Sequence, residues 1–188
     1  MKKRILIFLG AVVGVVFLLL SGLIAFLSIT EYKPAPIQDA EHVVTASGTI
    51  PAGHSLTVCS WNIGYGGLGK ESDFFMDGGT MVAPPSQNTV QKNLEGIRET
   101  VANTPADIWL FQEVDVKSAR SGYQNQFPIL LNSVQGLGAL AYNYDCPFVP
   151  IPLPPIGQVE SGIATVTGSL KTIGTPQRVS LPCPFSWP

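Results

Sequence analysis

No histidine follows His54 in this 188-residue chain, no two of its three cysteines are spaced C-x-x-C, and charged residues make up only 13% of it. The first lack leaves no later imidazole to serve as base or ligand. The second leaves neither a zinc knuckle nor a thioredoxin-like redox pair. Charge is also missing locally, because the 26 residues from Ile5 to Thr30 carry no ionisable side chain. At ~1.5 Å per residue, such a helix reaches roughly 39 Å, more than the about 30 Å of a bilayer's hydrocarbon core. A cleaved secretory signal is the competing reading, but Leu23-Ile24-Ala25-Phe26-Leu27-Ser28 offers no small-x-small cleavage site. Residues 1–30 are therefore expected to be a membrane anchor. Lys2, Lys3 and Arg4 precede the span and only Lys33 follows closely, which keeps the N-terminus cytoplasmic and the body outside. Gly10 and Gly14 form a G-x-x-x-G pair that can bring two such helices together.

What remains is apolar enough to fold, with 45% hydrophobic residues overall and a mean hydropathy of +0.26. Removing the three N-terminal cations leaves eight basic residues against 13 acidic ones, a net of −5. A body of that sign has no broad basic surface for a nucleic-acid backbone. A phosphate substrate would rather be met by a metal ion.

Residues 31–55 contain Pro34, Pro36 and Pro51 and read as an exposed linker, with one edge strand at 42–45. His42 and His54 fall here and are expected to be solvated. The run Leu56-Thr57-Val58-Cys59-Ser60-Trp61 predicts a buried strand that delivers Asn62 to a glycine-rich loop ending at Gly69. That loop is not a phosphate-binding Walker loop, since Glu71 follows Lys70 where serine or threonine belongs. A helix is expected after Ser86 or Asn88, with Val90, Leu94, Ile97 and Val101 as one apolar stripe. Ile108-Trp109-Leu110-Phe111 predicts a second strand covered on both faces and ending in Gln112-Glu113-Val114-Asp115. If the two strands are parallel neighbours, Asn62 and Glu113 meet at one sheet edge. Further along, 126–137 is expected to be a helix entered through Pro128, 148–151 a short extended piece, 151–156 a stiff extended loop, and 163–167 a strand. Cys59 reads as a core residue, leaving Cys146 and Cys183 as the pair able to form a disulfide.

Ser60-Trp61-Asn62-Ile63, Gln112-Glu113-Val114 and Ser161-Gly162-Ile163, in that order and spacing, resemble the endonuclease/exonuclease/phosphatase family of metal-dependent phosphoesterases. The resemblance covers residues 56–188, as the N-terminal part of such a domain. It implies an α/β (α+β) fold, a four-layer α/β/β/α sandwich of two mixed sheets, incomplete here and preceded by one transmembrane helix. It also implies Mg2+ (or Mn2+) held by Glu113, with Asn62 orienting that carboxylate or the scissile phosphate. One strand-end carboxylate suits magnesium, which keeps several waters and takes one or two carboxylates plus substrate phosphate. Tyr65, Asp77, Asp115 and Arg120 are candidate substrate-binding residues, with Asp73 and Ser118 nearby; an Arg120 paired with Asp115 at the surface is the alternative for those two. Arg178 has no assignment.

The family's later motifs, a histidine with a nearby acid, an aspartate-x-asparagine pair and a final aspartate-histidine, are not in these 188 residues. The chain is accordingly expected to stop before the catalytic site is complete, to be silent alone, and to leave part of an apolar sheet face exposed. A lipid headgroup or small phosphoester is favoured over DNA. An inactive, membrane-anchored binding domain of the same fold is the alternative.

Overall fold

The computed structural model describes residues 2–46, 52–168 and 174–179. The chain divides into two units, residues 1–32 and 33–188. The first is one helix, α1 (Lys2–Ile29), with none of its residues buried, and long and apolar enough to cross a membrane. A signal sequence meets the same criterion.

The second unit runs β1 (Ile37–Asp39), β2 (His42–Val44), β3 (Val58–Asn62), α2 (Gln87–Asn103), β4 (Ile108–Asp115), α3 (Phe127–Val134), β5 (Leu137–Val149), β6 (Gly157–Thr167) and β7 (Gln177–Val179). Five strands form a mixed sheet in the order β2-β5-β6-β4-β3, and β1 pairs with β7 in a separate ribbon. Only β3 and β4 are parallel, as a strand–helix–strand crossover requires. Ser86 caps α2 through its hydroxyl, which accepts from the Thr89 amide at 3.2 Å. The stripe Val90, Leu94, Ile97 and Val101 is buried as the spacing predicts, against Trp109, Phe111 and Val166 of the sheet. From α3 come Phe127 and Leu130, completing one core on one face.

The opposite face is largely open. Val43, Val58, Leu110 and Ile163 stand on it at 43%, 52%, 37% and 45% exposure. The ribbon lies beside part of it, since Ala139, Ala141 and Ile163 share a cavity wall with Pro176 and Val179. Among the described residues helices cover only one face, so the molecule is a mixed α/β unit with a five-stranded sheet and a short ribbon.

Several expectations need correction. The 31–55 linker is in part folded: the body begins at Lys33, β2 is the anticipated edge strand, and β1 joins the ribbon. His42 is not solvated, because its Nε2 lies 2.7 Å from the Tyr142 hydroxyl and its ring packs near Phe127. β3 is an edge strand of alternating exposure rather than a buried one, with Cys59 and Trp61 turned to the helices. β4 is central, yet covered on one face only. The 126–137 helix stops at Val134, where Gln135 adopts φ 49° and Gly136 donates back to the Leu131 carbonyl at 3.0 Å. The 148–151 piece is the end of the long β5. Residues 151–156 turn rather than extend, since they join antiparallel β5 and β6; Ile151–Pro152 and Leu153–Pro154 are cis. The Cys146–Cys183 pairing lies outside the described residues.

Candidate active site

Asn62 and Gln112 are register partners at the ends of parallel β3 and β4, so residue 113 emerges beside the amide of Asn62. Plain alternation would turn residue 113 toward the core with Trp109 and Phe111. A bulge prevents this. Pairing with β6 shifts between Phe111 and Val114, one extra residue sits on β4, and Glu113 takes a left-handed φ of 56°. Val114 then occupies the core position, fully buried, while Glu113 is re-aimed to the sheet edge. A non-glycine residue held this way costs of order 1–3 kcal/mol, and such strain collects at functional sites.

The Asn62 Nδ2 donates to Glu113 Oε1 at 3.0 Å, and Asn62 Oδ1 accepts from the Gly64 amide at 2.9 Å. Both ends of the carboxamide are thus fixed. One Glu113 oxygen is held and the other keeps its lone pairs for a ligand. With Arg120, Asn143, Tyr144 and Ser161, Glu113 lines a cavity of about 240 Å³.

Asp115 does not reach that cavity. It is completely buried, accepting from Arg120 Nε at 3.1 Å, Arg120 Nη2 at 2.9 Å and the Ser121 hydroxyl at 2.7 Å. The pairing of Arg120 with Asp115 is therefore interior and two-pronged rather than a loose surface contact. It holds the guanidinium at the cavity wall, 3.9 Å above the centre of the Tyr65 ring, with three of its five N–H donors still available. Tyr65 is itself buried, and burial foremost pushes its hydroxyl up to about 12, with Glu113 and Asp115 adding to the rise and Arg120 opposing it. The phenol stays protonated at neutral pH and serves as a platform, not a base.

Gln126 ties these pieces together. Its Oε1 accepts from the Asp115 amide at 3.1 Å and its Nε2 donates to the Tyr65 carbonyl at 2.7 Å, entirely out of solvent. Asn93 on α2 holds the same loop by donating to the Gly66 carbonyl at 3.0 Å. Gly66 has φ 66° and would bring a Cβ to 3.0 Å from Leu94, so this turn needs glycine.

Of the residues singled out in the sequence, the structure brings Asn62, Glu113, Tyr65 and Arg120 together, with Asp115 behind them. Asp77 is exposed on a short turn and lines neither this cavity nor the larger one beside α2. Asp73 closes its own loop on Thr80, and Ser118 pins its turn to the Glu160 backbone at 3.0 Å in both directions. Arg178 belongs to the ribbon, where it donates to the Ala35 carbonyl. Gln126, Asn143, Tyr144 and Ser161 were not anticipated as site residues. Ser161 stood in a quoted motif, whereas nothing local marks the other three.

The chain matches no family model, no curated protein and no solved structure. Any assignment therefore stands on geometry and on the motif resemblance. Among the described residues no three His, Cys, Asp or Glu side chains converge, which does not suit a zinc site. One carboxylate with a free oxygen, beside donors for a phosphate, does suit magnesium or manganese.

Proposed function

We propose that this chain has the function of a membrane-tethered, divalent-metal-dependent phosphoesterase of the endonuclease/exonuclease/phosphatase type. The observation that carries the reading is the Asn62–Glu113 pair at 3.0 Å on adjacent parallel strand ends, with the Arg120 guanidinium on the same cavity wall. Glu113 would hold Mg2+ or Mn2+, which when bound supplies Lewis-acid polarisation of a phosphoryl oxygen. Asn62 fixes the carboxylate's rotamer, and Arg120 offers its remaining donors to a phosphate oxygen. The accompanying fold is the four-layer sandwich, with the β1–β7 ribbon as part of its second sheet.

The test is Mn2+ binding by the full chain in detergent, followed by the ion's paramagnetic signal. Wild type should bind and Glu113→Gln should not. Equal binding by both would remove the reading. A body that binds phosphate without turning it over, in the protein expressed from its full coding sequence, would instead fit the inactive binding domain.

The net −5 of the body supports a lipid headgroup or small phosphoester rather than DNA. The basic cluster before α1 supports a cytoplasmic N-terminus and an external body, with Gly10 and Gly14 as a contact between anchors. Protease added to intact cells should then digest the body; protection of the body would reverse the topology.

A further inference from the structure

A cavity larger than the one at Glu113 lies beside α2. It is a trough of about 570 Å³ between α2 and the loop that follows β3, and Asn62 lies on its wall. Its volume falls within the range that holds a small organic ligand. One wall is a stripe of α2: Lys92, Gly96 and Thr100 at four-residue spacing, with Asn93 and Ile97 beside them, which covers ~12 Å of helix. Across from it stand Trp61, Ile63, Leu68 and Lys70.

Gly96 lines the trough without a side chain. It sits mid-helix, where glycine costs ~1 kcal/mol relative to alanine, and a Cβ there would meet nothing within 4 Å. Neither backbone geometry nor close packing calls for glycine, so its effect is to leave space beside Ile97. Charge at the rim is net positive by one, Lys70 and Lys92 against Glu71, in a body of net −5. Among the described residues Lys70 has no ion-pair partner, and Lys92 makes only a loose 3.8 Å contact with the exposed Glu71.

We propose that this trough binds the non-reacting, apolar body of an organic phosphate, with Lys70 and Lys92 attracting the anion and Trp61, Ile63 and Ile97 packing against the apolar part. The proposal rests on the phosphoesterase reading and deepens it: Asn62 lines the trough and donates to Glu113 Oε1 at 3.0 Å, and Glu113 lines the smaller cavity, so the phosphate faces Glu113 while the body it is esterified to lies along α2.

The probe is 1-naphthyl phosphate, compared with inorganic phosphate, both with Mn2+ and the full chain in nanodiscs, read by the intrinsic tryptophan fluorescence and by calorimetry. Naphthyl phosphate should bind about tenfold or more tightly than inorganic phosphate, from the apolar area it buries. Gly96→Leu should remove that advantage and leave inorganic phosphate binding unchanged, and since leucine is the better helix former the variant should fold. Lys70→Ala, on an exposed side chain, should weaken naphthyl phosphate several-fold. If naphthyl phosphate has no advantage, or keeps it in Gly96→Leu, the trough is not the site. An advantage that Gly96→Leu abolishes but Glu113→Gln leaves intact supports the trough while overturning the phosphoesterase reading.

Discussion

Replacing Glu113 by alanine should lower metal-dependent phosphoester hydrolysis by more than about 100-fold, measured in the protein expressed from its full coding sequence. The figure follows from what the neighbouring residue is worth. On the proposed function Glu113 is the metal ligand and Asn62 acts through it by a 3.0 Å hydrogen bond, and losing such an outer partner typically costs about 10–100-fold in metal affinity or activity. Losing the ligand must cost more. Asn62→Ala should therefore fall in that lower range and be partly offset by raising the metal concentration. The backbone supplies a control. Glu113 holds φ 56°, so Glu113→Gly should match alanine in lost activity yet unfold no more easily, and by up to ~1 kcal/mol less easily, than wild type. Full activity in Glu113→Ala would end the mechanism.

The second large effect concerns stability. Asp115→Ala should destabilise the body by about 3–5 kcal/mol in denaturant unfolding, since it strands a largely buried guanidinium. Against a typical total of about 5–15 kcal/mol, that is enough to unfold a marginal domain. The loss extends beyond one pair. Arg120 would leave its place over Tyr65 and the Ser121 hydroxyl would keep only the Ser118 carbonyl, at 3.3 Å, so the loop facing Glu113 should loosen as well. Asp115→Asn, which keeps the shape and an acceptor for Ser121, should cost less. A change under 1 kcal/mol for Asp115→Ala would mean that water fills the site and that Arg120 is placed by other contacts.

These two residues show where reading the sequence stops. Both lie in the stretch Gln112-Glu113-Val114-Asp115, and both are candidates once that stretch is taken together with Trp61-Asn62. Their different roles come from a bulge with no glycine to announce it and from Gln126, 11 residues beyond Asp115, whose amide joins β4 to the Tyr65 turn. His42 illustrates the same limit. Beside prolines it reads as solvated, but an edge strand that pairs with β5 carries it to Tyr142, 100 residues away.

The sequence by itself determined the apolar N-terminal helix, the strand–helix–strand unit around α2, the buried stripe on that helix and the adjacency of the two strand ends that carry Asn62 and Gln112. Each follows from local periodicity, capping and the short crossover between consecutive strands, which act within about 50 residues of chain. The tertiary structure alone decided that β3 is an edge strand, that Asp115 is sealed behind Arg120, and that Glu113 points outward to meet Asn62. Those outcomes depend on which distant strands pair and in what register, and a one-residue shift in register reverses every side chain without altering local propensity.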